Sequence, residues 1–316
     1  MPVVRLHTTD PYLNLAIEEH RLDRVALSGP TLLLWRDDPC IVIGRHQNPW
    51  VECDLRRMRN DSLPLVRRIS GGGAVYHDDG NTNFSFIATA ADYDQERHFR
   101  VVIAALAALG INAWKSDRND IRVGERKVSG NAFRHTRGLS LHHGTLLVAS
   151  DLDRLTAYLT PTAALIETKA TASVRSTVMN LTEVRPDLTH SAVWDAIAEA
   201  YAAEYGPVAG APAEGAVEAD DRAVVLRRAG ELAGWDWLYG HTPAFVRRLE
   251  IPVAGTAGSV MLAVTVRRGL IVSVEGVSSR VRDRLVGIRY DQKTVRAAAP
   301  EGENGELIRR LSEAID

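Results

Sequence analysis

The stretch Arg67 to Asn83, RRISGGGAVYHDDGNTN, sets three consecutive glycines, Gly71, Gly72 and Gly73, between a basic pair and a run of polar side chains. Each glycine in an extended segment costs roughly 0.5–1 kcal/mol relative to alanine, a sizeable loss against a total stability of about 5–15 kcal/mol. Bare backbone repays that loss where amide N–H groups must line a concavity for an anion. Arg67 and Arg68 beside it carry the planar forks that hold phosphate or carboxylate through paired hydrogen bonds. The alternative, a tight solvated turn, sits poorly between Leu65-Val66 and Ala74-Val75. Neither a Walker loop nor a dinucleotide Gly-x-Gly-x-x-Gly is present, so an anion site of another kind is implied. A branched side chain at Gly72 is expected to occupy the ligand's space at little cost in thermal stability.

A second polar cluster runs from Arg118 to Arg137, RNDIRVGERKVSGNAFRHTR, with six basic residues against Asp120 and Glu125 in a chain whose net charge is −2. Ile121 and Val123, the Gly124-Glu125 turn and Val128 read as a hairpin carrying Lys127 on its second strand. Of 38 basic residues only Lys115, Lys127, Lys169 and Lys293 are lysines. Where arginine is the default, a lysine suits a task of shape: an ammonium is a compact charge with three rotatable donors, able to bridge a carboxylate and a phosphate oxygen. An exposed strand lysine is the plainer reading of the same residue.

The adjacent His142 and His143 lie in a strand-like run, so they point to opposite faces and cannot share one metal. His143 and His77 each read equally as packed, hydrogen-bonding residues or as catalytic ones. Asp78, Asp79 and Asp120 have the chemistry to hold Mg²⁺ together with phosphate oxygens, although turn aspartates are commonly just solvated.

The ordered motifs resemble those of lipoate-protein ligase A, of the lipoyl and biotinyl protein ligase superfamily. They are the loop Arg67 to Asn83, Arg118-Asn119-Asp120, Lys127-Val128-Ser129-Gly130-Asn131-Ala132, His142-His143-Gly144-Thr145-Leu146-Leu147 and Ser173-Val174-Arg175-Ser176. The likeness extends to Leu13-Asn14-Leu15-Ala16, to Gly44-Arg45-His46-Gln47-Asn48-Pro49-Trp50 and to Trp235-Asp236-Trp237, which is nearly the whole chain.

The resemblance implies an α/β (α+β) fold: a mixed β-sheet catalytic domain of the biotin/lipoate ligase type with flanking helices, plus a small α/β C-terminal domain. It also implies an ATP-dependent enzyme that joins lipoic acid to AMP and passes the lipoyl group to a lysine. Its acceptors would be lipoyl domains of 2-oxo acid dehydrogenase complexes and the glycine-cleavage H protein. Carried over, Lys127 is the catalytic residue, neutralising charge on the lipoyl carbonyl and adenylate phosphate. Arg68, Ser70, Gly71, Gly72, Gly73, Ala74, Val75, Tyr76, His77, Asn119, Asp120, Gly130 and His143 line the lipoyl-AMP site, and Asp120 holds Mg²⁺ because it sits beside Asn119 in a matched motif. A cysteine-dependent acyltransferase of the superfamily is disfavoured, since no cysteine follows Cys53. A lipoyltransferase that uses only preformed lipoyl-AMP, and a non-catalytic lipoate-binding protein, are the other readings; neither net charge nor a helix-turn-helix points to nucleic acid.

The frame for these residues is a 316-residue chain, 45% hydrophobic and 25% charged, long enough for two domains. No apolar run is long enough for a membrane span, the start lacks the pattern of a leader, and Cys40 and Cys53 are too few for a disulfide framework, so a cytoplasmic protein is expected. A first strand is expected at Val3 to Leu6, and a helix near Asp10 with Pro11 at its first position presents Leu15, Leu22 and Val25. Strands follow at Thr31 to Trp35 and Cys40 to Gly44, and Ala74 to Tyr76 is expected to pair in a hairpin with Phe84 to Ile87. Helices are expected at Val101 to Leu109, Ser191 to Tyr205 and Asp220 to Ala233, and a hairpin at Val260 to Val274 precedes two further helical stretches. The boundary is placed to give a catalytic domain at 1–241 and an accessory domain at 245–316.

Overall fold

The computed structural model describes residues 1–24, 29–136, 138–160, 166–207, 213–214, 221–252 and 258–315. They form two compact units: Met1–Gly44 with Pro64–Thr156 and Val174–Ala233, and Arg45–Leu63 with Ala157–Ser173 and Gly234–Asp316.

The first unit carries a mixed six-stranded sheet in the order Asn131–His135, Leu139–Leu147, Asn81–Thr89, Thr31–Trp35, Val3–Arg5, Ala213–Glu214. Two three-stranded sheets complete it: Leu65–Arg67, Cys40–Ile43, Val75–His77, and Ala113–Lys115, Ile121–Val123, Arg126–Ser129. Helices Gln95–Ala108 and His190–Tyr205 contribute Phe99, Val102, Leu106, Val193 and Ile197 to a core shared with Leu32, Leu34, Phe84 and Phe86.

Local signals act as expected at several ends. Asp10 Oδ1 accepts from the backbone N–H of Tyr12 and Leu13 at 2.9 and 3.1 Å, opening the helix Pro11–Arg24. Leu15 and Leu22 of that helix are buried, and Val25 lies outside the described residues. Gly124, at φ +55°, closes the Ile121–Ser129 hairpin, which pairs Arg122 with Lys127. The helix expected from Val101 starts earlier, at Gln95, because Asp94 caps it through the N–H of Arg97.

The expected hairpin across Asp78 to Asn81 does not form. Val75–His77 pairs antiparallel with Cys40–Ile43, whereas Asn81–Thr89 pairs with Thr31–Trp35 and Leu139–Leu147. The turn is instead nailed to another segment: Val148 and Ala149 donate to the carbonyl of Gly80, and Asp78 accepts from Gly80 and Asp151. A Cβ on Gly80 would lie 2.2 Å from the backbone of Ala149, so that close approach requires glycine.

The second unit has a four-stranded sheet, Ile166–Thr168, Phe245–Pro252, Ser259–Arg267, Leu270–Glu275, with helices Ser279–Leu285, Gln292–Ala297 and Glu303–Ala314. The strand Phe245–Pro252 was not anticipated, and three helices stand where two stretches were expected. Two earlier segments belong to this unit, so a single cut between 241 and 245 is not how the compact units divide. The cause is Trp50, which is buried with its ring 5.1 Å from Tyr239, 5.2 Å from Phe245 and 5.4 Å from Tyr290. Among the described residues no helix is long and apolar enough to cross a membrane.

Candidate active site

The glycine run follows directly from the strand Leu65–Arg67 and is held from behind. Arg68 is buried, and its guanidinium donates to Val42 O at 3.1 Å, to Gly71 O and Gly73 O at 2.7 Å each, and to Ser70 Oγ at 3.0 Å. Burial lowers its pKa to about 10, which leaves it charged at neutral pH. The fork expected to grip a ligand is spent on loop carbonyls, so Arg68 shapes the cradle. Arg67 is likewise buried and donates to Gly44 O at 3.2 Å. Gly44 permits the loop to pack down: a Cβ there would stand 2.3 Å from Gly72 O.

Within the run the glycines differ. Gly72 has φ +85°, and a Cβ on it would meet Arg68 Nη2 at 3.0 Å and Ala132 Cβ at 3.5 Å. Its replacement therefore strains the backbone and the clamp, contrary to the expectation of little cost in stability. A Cβ on Gly71 would have nothing within 4 Å. The loop thus turns an open side outward at Gly71 and rests against Ala132, while Arg134 also donates to Ile69 O at 3.1 Å.

That contact brings the loop to the Lys127 motif. Lys127 lies on Arg126–Ser129, its backbone pinned by bonds with Thr177 and Met179. Its ammonium pairs with Asp120 Oδ1 at 2.8 Å, and Arg122 stands 3.5 Å from Asp120 Oδ2. A Cβ on Gly130 would lie 3.2 Å from Lys127 Nζ and 3.3 Å from Cε, so the bare glycine gives the ammonium its space. Asn119, at φ +61°, turns the chain before Asp120; its carbonyl accepts from Asn131 and its side chain accepts from Gln95, so it braces the strands.

His142 and His143 do face opposite ways. His142 enters an aromatic cluster 4.6 Å from Phe133 and 4.8 Å from Phe99, and burial holds its pKa well below the usual value. His143 Nε2 lies 2.7 Å from Ser70 Oγ, and its Nδ1 lies 2.9 Å from Glu18 Oε1. Glu18 escaped the sequence reading. Its signal was available: it falls between Leu15 and Leu22 on the apolar stripe of Pro11–Arg24, where a carboxylate needs a specific partner.

Four expected site residues, Ala74, Val75, Tyr76 and His77, lie on or beside the strand Val75–His77. Ala74 is half-buried beside Val75 at the start of the strand Val75–His77, and Tyr76 is buried in its sheet. His77 Nδ1 bonds Asp37 Oδ2 at 2.8 Å, and burial pushes the Asp37 carboxyl up. As for magnesium, Asp78 has given both oxygens to backbone donors. Among the described residues the one trio close enough to share an ion is Asp37, Cys40 and His77, whose nitrogen and sulfur suit a softer metal. Asp120 offers the single carboxylate that magnesium commonly takes alongside phosphate oxygens, and in this structure it is paired with Lys127 and stands 3.5 Å from Arg122.

Residues 10–202 match the family described as lipoyl protein ligase A/B catalytic domain. The chain is 38% identical to lipoate-protein ligase A of Psychrobacter cryohalolentis over 318 positions, covering 95% of this chain and 91% of the relative. It is similar to the crystal structure of P. falciparum LipL1 in complex with lipoate, at TM-score 0.67 and 26% identity over 98% of each chain. It is similar also to a lipoate-protein ligase A bound with ATP, at TM-score 0.65 and 26% identity, covering 75% of this chain and 98% of that one. With a family match over more than half its length and a relative this similar end to end, the chain belongs to the lipoyl protein ligase A/B family.

Proposed function

We propose that the chain is an ATP-dependent lipoate-protein ligase, which condenses lipoate with ATP to lipoyl-AMP and pyrophosphate and transfers the lipoyl group to a lysine of a lipoyl domain. The reading rests above all on Lys127, whose ammonium pairs with Asp120 and lies over Gly130, two residues before the Ala132 that the glycine loop rests against. Both half-reactions build negative charge on the lipoyl oxygen and the α-phosphate. Lys127 exchanges Asp120 for those oxygens and neutralises them, which is where fixed donors lower a barrier most. The amides of Gly71 to Gly73 line the nucleotide and lipoate, and Arg68 holds the carbonyls of Gly71 and Gly73 turned inward so that the N–H groups of the loop face the anion. Mg²⁺ would be held by Asp120 and would supply further charge neutralisation. The acceptors are lipoyl domains of 2-oxo acid dehydrogenase complexes and the glycine-cleavage H protein; a similar structure comes from work on a bi-partite lipoate protein ligase and its E2 lipoyl domain from Thermoplasma acidophilum.

The test is pyrophosphate release by the purified chain with lipoate, ATP and Mg²⁺, followed by mass analysis of an added lipoyl domain. Release with modification of one lysine is expected. Modification only when lipoyl-AMP is supplied would reduce the chain to a transferase, and none in either case would overturn the reading.

A further inference from the structure

The strands Ala113–Lys115, Ile121–Val123 and Arg126–Ser129 turn one face to the core, where Ala113, Ile121 and Val128 are buried. Residues directly opposite one another on neighbouring strands share a face, and the register sets Trp114 opposite Arg122 and Arg122 opposite Lys127. The outer face therefore carries a row of Trp114, Arg122 and Lys127, in which the Arg122 and Lys127 side chains are 20% and 22% exposed. Asp120 joins the two cations, 2.8 Å from Lys127 Nζ and 3.5 Å from Arg122 Nη2. The second approach is too long for a strong hydrogen bond. Arg122 Nη1 donates to Glu125 O at 2.7 Å in the hairpin turn, and among the described residues no other hydrogen bond holds this guanidinium. Other cations of the two motifs are committed elsewhere: Arg68 to the loop carbonyls, Arg134 to Ile69 O and Arg126 to Glu183 at 2.6 Å.

We infer that Arg122 binds the pyrophosphate that leaves in the activation half-reaction; this rests on the ligase reading. In that step a lipoate carboxylate oxygen bonds to the α-phosphorus, the bond from that phosphorus to the oxygen shared with the β-phosphate breaks, and pyrophosphate departs with the electron pair. Lys127 is a single ammonium engaged with the lipoyl oxygen and the α-phosphate, so the charge gathering on the leaving group calls for a further donor on the same face. Arg122 stands one carboxylate away from Lys127. Its planar fork offers paired N–H groups that fit two oxygens of one phosphate, whereas an ammonium acts as a point charge. Its bond to Glu125 O keeps the fork at the rim of the row, and Asp120 steadies it until phosphate oxygens arrive. The transfer half-reaction contains no pyrophosphate: the acceptor nitrogen attacks the acyl carbon and AMP leaves. A residue that serves the leaving group therefore matters to activation, whereas one that merely braces Asp120 and Lys127 matters equally to both half-reactions.

The test sets the two half-reactions side by side in the full chain, in Arg122→Gln and in Arg122→Lys, with Mg²⁺ present throughout. The probe is inorganic pyrophosphate: ATP formed from supplied lipoyl-AMP is followed against its concentration, alongside lipoate-dependent pyrophosphate release against ATP. Single-turnover transfer from lipoyl-AMP to a lipoyl domain is the comparison. Loss of a bond from a charged donor to phosphate predicts that Arg122→Gln needs about 10–100-fold more pyrophosphate for half-maximal reversal, with KM for ATP rising in the same direction. The loss in transfer should be far smaller. Arg122→Lys should recover part of the pyrophosphate dependence, since it restores the charge but not the paired geometry. Thermal transitions of both variants check that the hairpin is intact. An unchanged pyrophosphate dependence in Arg122→Gln would overturn the inference, and so would equal losses in reversal and transfer, which would make Arg122 a brace for Asp120 and Lys127; both results leave the ligase standing. A wild-type chain inert in both pyrophosphate assays would remove the ligase reading and this inference with it.

Discussion

Valine at Gly71 and valine at Gly72 should have opposite consequences, although the residues are neighbours in one loop. At Gly72 the backbone sits at φ +85° and a Cβ would press on Arg68 Nη2 at 3.0 Å. Left-handed backbone costs a side-chain-bearing residue about 1–2 kcal/mol. Moving the guanidinium surrenders at least one of its 2.7 Å bonds to Gly71 O and Gly73 O, and a hydrogen bond from a charged group contributes about 1.5–3 kcal/mol. The sum, about 3–5 kcal/mol, corresponds to a fall in Tm of roughly 6–20 °C at about 2–4 °C per kcal/mol. At Gly71 nothing lies within 4 Å of the added Cβ, so stability should change by no more than about 0.5 kcal/mol. If the open side is where lipoyl-AMP lies, Gly71→Val overpacks the site by about 1–3 kcal/mol, roughly a 5–150-fold rise in Kd. Scanning calorimetry and isothermal titration with a non-hydrolysable lipoyl-AMP analogue read the two quantities separately. Wild-type affinity in Gly71→Val, or an unchanged Tm in Gly72→Val, would refute this account of the loop.

Lys127→Ala should keep its fold and lose adenylation and transfer by roughly 10²–10³-fold, as expected for one donor at a developing oxyanion, with Lys127→Arg nearly as impaired; steady-state pyrophosphate release and lipoyl transfer check both. Burial holds His98 neutral, with its pKa down to about 4 against 6.5, and also holds the His142 pKa well below its ordinary value. The unfolded chain therefore binds more protons, and stability is full above about pH 6.5 and falls as pH drops towards 4, by roughly 3 kcal/mol for His98. Urea midpoints measured across that window should fall with acidity, and His98→Phe, stacked on Phe86 as His98 is at 4.4 Å, should flatten the fall. Truncation to residues 1–241 removes Phe245 and Tyr290 from Trp50, so the fragment should bind a hydrophobic dye and lose stability; a Tm equal to that of the full chain would show that the second unit's core is not needed to bury Trp50.

Features set by near neighbours in the chain were legible in the residues themselves. Asp10 before Pro11 announced a helix because a cap needs only donors two and three positions on. Gly124 announced the Lys127 hairpin because a tight turn needs positive φ, and alternation alone put His142 and His143 on opposite faces. The scarcity of lysine singled out Lys127, and the bare loop singled out a place for an anion. What could not be read was the choice among distant partners. The strand after the glycines looked ready for a hairpin, yet Val148 to Asp151 claimed the turn and Cys40–Ile43 claimed the strand. Arg68 had the chemistry to grip a ligand, but once buried its donors had to be satisfied nearby, and Val42, Gly71 and Gly73 carbonyls were within reach. Glu18 meets His143 across 125 residues of sequence, and Trp50 meets Phe245 and Tyr290 across longer spans still. Each side chain states what kind of partner it requires; burial then makes pairing obligatory, and only the packed fold selects which of several chemically equivalent groups arrives at bonding distance.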